Sequence, residues 1–254
     1  MVKSIQIMII RKVILNMTKK INKKKTLMIA HRGLSGLEKE NSLMAFVAAG
    51  QRTYYGCECD IHKTKDGKYV VIHDSDTSRV AGEAMIVEES MFEDLRKLEL
   101  LGVNDEEHHR YLQIPTLEEY IETLKKYQKK AIIEFKNAFS EADVFEVLDI
   151  IKALGYLDQC IFISFGFENL LYTKKYDDSL PCQYLMVEPL KEKLELCFKH
   201  HFGLDIYFKY LSKWIIEEFH KQHLDVNCWT VNEVEDGEAL VELGVDFITT
   251  NILE

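Results

Sequence analysis

The chain has no Cys-x-x-Cys pair, no acidic side chain before Glu38, and no apolar run near the roughly 20 residues that span a bilayer. Each absence excludes something. Its six cysteines, at positions 57, 59, 160, 182, 197 and 228, are scattered, so they read as reduced thiols of a cytoplasmic protein and not as a disulfide framework. The N-terminal stretch does not read as a secretory signal, because bases follow its apolar run and a small-residue cleavage site is lacking. Nothing in 254 residues that are 47% hydrophobic forces a division into two domains.

Charge is unevenly placed. Residues 1–25 carry eight basic side chains, which leaves 24 bases against 42 acids in the rest of the chain. Such a body repels nucleic acid, whose binding depends on phosphate neutralisation, but suits a divalent cation. The extension 1–25 also holds Ile5, Ile7, Met8, Ile9, Ile10, Val13, Ile14 and Leu15. It reads either as a poorly ordered tail ahead of a later start at Met17 or Met28, which is the plainer choice, or as an amphipathic helix making weak contact with an anionic membrane surface.

Beyond residue 25, short segments rich in β-branched and aromatic residues recur at 27–30, 56–61, 69–73, 131–136, 160–164, 183–187, 204–208, 226–231 and 246–249. Amphipathic stretches of helical period separate most of them, at 42–53, 117–127, 141–154, 190–200, 212–223 and 234–243. Near-continuous apolar strands alternating with helices predict a parallel sheet covered by helices, here an α/β (β/α)8 TIM barrel over 26–254. Nine strand candidates compete for eight places, so either one is surplus or the barrel is irregular, at strands 2–3. The run Thr64-Lys65-Asp66-Gly67-Lys68 is a turn signal with no room for a helix. A hairpin about Asp66-Gly67 sets Asp60 opposite His73; an extended return loop still leaves both at strand ends.

Barrel active sites lie at the C-terminal mouth, so polar residues that end strands are the candidates. His31 and Arg32 follow the first strand, Glu58 and Asp60 end the second, and His73 closes the third. Glu134 and Lys136 end the fourth, Ser164 the fifth and Trp229 the eighth. Glu58 and Asp60 are two apart and share one face, where like charges repel unless a cation neutralises them. Oxygen ligands suit one divalent cation, Mg²⁺ or Ca²⁺, with Glu134 as third ligand; the plainer alternative is salt bridges to Arg32 and Lys136. His31 and His73 suit general acid and base work across a phosphodiester, whereas a lone histidine would more often be core. Arg32 and Lys136 offer positive charge to phosphoryl oxygens. Trp229 reads equally as a site wall or as core, and Ser164 and Asn232 are weaker candidates.

These segments resemble a known family. His31-Arg32-Gly33 with Glu40-Asn41-Ser42 is similar to the HRG…PENT opening of the glycerophosphodiester phosphodiesterases. Glu58-x-Asp60, Thr64-x-Asp66-Gly67 and Val70-Val71-Ile72-His73-Asp74 resemble its ExD…TxDG…VxxHD core, and the likeness continues through Arg79, Gly82, 114–119, 133–136, 163–165 and 229–232. It covers roughly residues 26–250. The resemblance implies a barrel hydrolase with a catalytic pair His31 and His73, metal ligands Glu58, Asp60 and Glu134, and Arg32 and Lys136 near the phosphate. It also implies a small insertion after the strand bearing the second histidine, at 75–113. Lys39 stands where the family has proline, and 248–252 lacks the usual aspartate and proline, so Asn251 or Thr250 is expected to replace a closing hydrogen bond.

The expected activity is metal-dependent hydrolysis of a small-molecule glycerophosphodiester to glycerol 3-phosphate and an alcohol, with His31 favoured as base. A lysophospholipase D-type activity on membrane lysolipids, or a non-catalytic phosphate-binding barrel, are the alternatives.

Overall fold

The computed structural model describes residues 17–103 and 107–254. The expectations for residues 1–16 therefore lie outside the described residues. Residues 18–21 run beside the C-terminus: Lys19 N–H donates to the Ile252 carbonyl, and Ile21 N–H to that of Glu254.

Eight parallel strands close a barrel: β1 (Leu27–Ala30), β2 (Gly56–Lys63), β4 (Lys130–Phe135), β5 (Cys160–Ser164), β6 (Cys182–Met186), β7 (Gly203–Tyr207), β8 (Val226–Trp229) and β9 (Phe247–Thr250). Closure comes from β1, which pairs with both β2 and β9. The ninth candidate, β3 (Tyr69–Val71), lies outside the ring and runs antiparallel to the far end of β2.

Helices α1 (Leu43–Gly50), α4 (Leu117–Tyr127), α5 (Glu141–Ala153), α6 (Phe167–Tyr176), α7 (Lys191–His200), α8 (Lys213–Lys221) and α9 (Val234–Leu243) alternate with the barrel strands; α2 (Ser78–Ala81) and α3 (Phe92–Leu95) follow β3. Local chemistry starts several of them. Ser42 caps α1 by accepting from Ala45 N–H, and Thr116 and Glu119 form a reciprocal capping box on α4. Helix α6 is absent from the periodicity reading, because the polar Asn169 and Thr173 occupy buried positions on it.

The apolar interior divides in three. Most of it lies between the sheet and the helices, on the outward faces of the strands. A smaller set, with Ile29, Ile132, Ile161, Ile163, Leu185 and Phe247, fills the barrel. A third set joins Val70 and Ile72 to Val80, Val87, Leu95, Leu100 and Leu112 of the segment after β3.

Strand β2 is the longest and carries the feature that matters most for the site. Its last residues pair with β3 in the register Ile61–Val71 and Lys63–Tyr69. Ile72 N–H then donates to the Asp60 carbonyl at 3.0 Å. Asp60 thus lies opposite Ile72, one residue away from the expected partner His73. The reason is a three-residue loop, 65–67, in place of a two-residue turn: Thr64 N–H donates to the Lys68 carbonyl, and Gly67 takes the left-handed conformation at φ +79°. The chain leaves the barrel along β2 and returns along β3, so His73 comes back to the rim.

Candidate active site

At the end of β1 the backbone turns through two consecutive left-handed residues, Arg32 at φ +54° and Gly33 at φ +74°. The turn points the Arg32 N–H at Glu58 Oε2, 2.8 Å away. Gly33 packs so closely on α1 that a Cβ there would stand 2.7 Å from the carbonyl carbon of Ala45. Gly33→Ala is therefore expected to cost about 3 kcal/mol, from the clash and the left-handed backbone together. Urea unfolding checks this; a midpoint unchanged from wild type would refute it.

Arg32, Glu58, Glu134, Lys136, His31, His73 and Trp229 line one cavity at the barrel mouth. Asp60 stands against its wall, 1% exposed, as the hub of the charges. Its Oδ2 accepts from Asn41 Nδ2 at 2.8 Å and lies 3.3 Å from Arg32 Nε. Lys136 Nζ sits 3.3 Å from Asp60 Oδ1 and 2.9 Å from Glu134 Oε1. The salt bridges of the plainer reading are present on Asp60 and Glu134, and the three acids are also clustered. One oxygen from each of Glu58, Asp60 and Glu134 lies within 4.8 Å of the others. Asp60 Oδ1 is buried with no hydrogen-bond partner. Three clustered hard oxygen donors, one of them ion-paired to Lys136 but without a hydrogen-bond partner, fit Mg²⁺ or Ca²⁺.

The electrostatics divide these acids. Burial, then repulsion from Asp60 and Glu134, pushes Glu58 well above the carboxylate range. Burial and Asp60 push Glu134 up to about 8, against the pull of Lys136. Burial would raise Asp60 too, but Arg32 and Lys136 hold it below its ordinary value. Arg32 and Lys136 are raised by Asp60 despite their own burial.

Each histidine has its Nδ1 engaged. His31 Nδ1 lies 2.7 Å from Asn251 Oδ1, which also accepts from Ser35 Oγ. An acceptor there assigns the proton to Nδ1 and leaves Nε2 for the cavity. His73 Nδ1 lies 2.6 Å from Asp74 Oδ1. Arg79 donates to Asp74 and doubly to Glu40, and Glu40 accepts from Arg32. A continuous charged chain therefore links His73 to Arg32 across the mouth, with Glu40 lowered to about 2 by these arginines against its burial. Beneath His73, His62 Nε2 contacts its carbonyl at 3.2 Å.

Burial and the adjacent Arg32 lower His31 to about 4. Burial also lowers His73, with Asp60 opposing. The protonated form of His31 is disfavoured in the folded site. Stability is therefore expected to be independent of this group above pH 6.5 and to fall as pH drops towards 4, where the unfolded chain takes up the proton first. In the metal-free protein its imidazole C2 proton should titrate near pH 4; a midpoint near 6.5 would contradict this.

Two weaker candidates serve the frame. Ser164 faces outward, where its Oγ donates to the Phe135 carbonyl and accepts from Gly166 N–H. Asn232 accepts from Asn251 N–H and so fixes the loop that presents Asn251 to His31. Trp229 lines the cavity and stacks edge-on with Phe165, ring centres 5.9 Å apart. The sequence reading gave no roles to Asp74 and Glu40, nor to Asp205 on the cavity wall, and named Asn251 only as a candidate for a closing hydrogen bond. The first two lie inside the quoted motifs, and that position was the available signal.

The sequence profile described as the glycerophosphoryl diester phosphodiesterase family matches residues 31–254. A glycerophosphodiester phosphodiesterase of Caldanaerobacter subterraneus subsp. tengcongensis is 32% identical over 89% of this chain and 94% of its own length. Among solved structures, a glycerophosphodiester phosphodiesterase from Parabacteroides distasonis superposes with a TM-score of 0.74 at 26% identity, over 89% of this chain and 93% of that one. A phosphodiesterase from Oleispira antarctica, in complex with the product sn-glycerol-3-phosphate, has the same fold with a TM-score of 0.81 at 24% identity, over 92% and 96% of the two chains.

Proposed function

Because the chain belongs to the glycerophosphoryl diester phosphodiesterase family, we propose that it hydrolyses small glycerophosphodiesters to glycerol 3-phosphate and an alcohol, using two histidines and a divalent cation. The observation that supports this most is the meeting of three clustered carboxylates, two cationic side chains and two Nδ1-anchored histidines in one cavity. Glu58, Asp60 and Glu134 would hold the cation, Mg²⁺ or Ca²⁺, which when bound would offset charge developing on the phosphoryl oxygens.

The remaining work belongs to the chain's own groups. Arg32 and Lys136, held in place by Asp60, set permanent positive charge at the wall where the phosphoryl group sits. His31 is kept neutral, so its Nε2 accepts the proton of the attacking oxygen. His73 Nδ1 is anchored on Asp74, which opposes the lowering by burial, and with His31 as base it falls to His73 to pass a proton to the leaving alcohol. Trp229 and Phe165 form an apolar wall beside the reacting group. Six buried free thiols suit the reducing cytoplasm.

Release of glycerol 3-phosphate from glycerophosphocholine tests the reading directly. Turnover is expected to vanish in EDTA and return with added Mg²⁺ or Ca²⁺. No metal-dependent turnover of any glycerophosphodiester would sink it.

A further inference from the structure

One buried carboxyl in the cavity takes no part in the chemistry above. Asp205 stands on β7, in register with Leu185 of β6 and Asn227 of β8, and is 2% exposed. It lines the same cavity as His31, Glu58 and Glu134, yet its Oδ1 is buried with no hydrogen-bond partner. The polar groups beside it have other partners as well: Asn227 Nδ2 donates to Gln183 Oε1 at 3.5 Å, and Thr249 Oγ1 to Asn227 Oδ1 at 3.2 Å. Burial and the neighbouring Glu134 push its pKa well up, while a hydrogen bond from Asn227 works the other way.

An unpaired buried oxygen costs stability, and a ligand cavity retains one when the ligand brings the partner. Three kinds of partner are conceivable. A divalent cation is met by the cluster Glu58, Asp60 and Glu134, which does not include Asp205. A phosphoryl oxygen is an acceptor and belongs beside Arg32 and Lys136, which sit on Asp60. A hydroxyl, which can donate and accept, is the complement of Oδ1 in either protonation state, and Ile163 and Leu185, which line the same cavity, are apolar.

We propose that Asp205 is the specificity-determining residue for the glycerol arm, its Oδ1 accepting a hydrogen bond from a glycerol hydroxyl of the substrate. The inference rests on the phosphodiesterase reading above. An arm of the same length without hydroxyls would leave the oxygen unpaired in the complex, and sites built around a hydroxyl discriminate strongly on that ground.

The test compares glycerol 3-phosphate with n-propyl phosphate, which keeps the phosphate and the three carbons but has no hydroxyl. Calorimetric titration of the Mg²⁺-supplemented protein is expected to show wild type preferring glycerol 3-phosphate by about tenfold or more. Asp205→Leu should lose that preference, whereas Asp205→Asn, which keeps an amide oxygen in the same place, should retain most of it. The kcat/KM ratio for glycerophosphocholine over bis(p-nitrophenyl) phosphate should fall by a similar factor in Asp205→Leu. Its melting temperature should equal or exceed wild type, because a buried carboxyl with one unpaired oxygen has been removed. Equal weakening of both ligands, no change in either, or a wild type without preference would each overturn the proposal. Hydrolysis by wild type is a separate readout: its absence together with Asp205-dependent selectivity would defeat the phosphodiesterase reading alone.

Discussion

His73→Ala is expected to lower kcat on glycerophosphocholine by about 10²–10⁴-fold while the protein stays folded, the range typical of a positioned acid or base. The side chain is 31% exposed and sits beyond β3, so its loss leaves no sealed cavity. What is lost is the imidazole whose Nδ1 is anchored on Asp74. Asp74→Asn should act in the same direction by a smaller factor, since the ring stays but its protonated form loses a carboxylate; the pH profile should shift with it. Initial rates of glycerol 3-phosphate release, with circular dichroism as the folding control, decide the matter. A rate near wild type in His73→Ala would remove it from the acid role.

Asp60→Ala should destabilise the protein by about 3 kcal/mol. Its carboxylate is the shared partner of Arg32 and Lys136, and removing one member of a buried network leaves charge uncompensated. Lys136 keeps Glu134 and Arg32 keeps Glu40, which places the loss at the lower end of the range for such pairs. The pH dependence follows from the depressed pKa of Asp60: its stabilisation is complete above the ordinary value of 3.8 and is lost as pH falls below it. Glu134 has the opposite sign. Its folded value of about 8 lies above the ordinary 4.5, so its charge costs stability increasingly as pH rises through that window. In EDTA, Glu134→Gln should therefore melt at or above wild type at pH 7.5, and it should lose the stabilisation that added Mg²⁺ or Ca²⁺ gives wild type. Denaturant unfolding and thermal melts with and without metal measure both; an Asp60→Ala protein as stable as wild type would contradict the hub role.

Much of this site was legible because most of its residues end or follow barrel strands, although Glu58 and Asp60, expected to end the second strand, lie inside β2, which runs on to Lys63. Alternation of apolar strands with helices fixes a parallel barrel, and a parallel barrel sends every strand's C-terminal residues to one mouth. His31, Arg32, Glu58, Glu134 and Lys136 could be gathered from spacing alone for that reason. His73 was gathered too, but by a register one residue off: a turn signal does not tell a two-residue loop from a three-residue one, and the conformation of Gly67 decides between them. The direction of a side chain at the last residue of a strand was also out of reach, and Ser164 faces outward while Trp229 faces the cavity.

The sequence by itself determined the barrel and the chemical types at its mouth, because periodicity and strand-end position are local properties. The tertiary structure alone decided the second tier: Asn251 on His31, 220 residues away in the chain, Glu40 tying Arg32 to Arg79, and Asp205 with its Oδ1 unpaired in the cavity wall. Those roles depend on which atoms closure of the barrel brings within hydrogen-bond reach. An asparagine or aspartate in a strand or loop carries no mark of them until its neighbours from distant strands are in place.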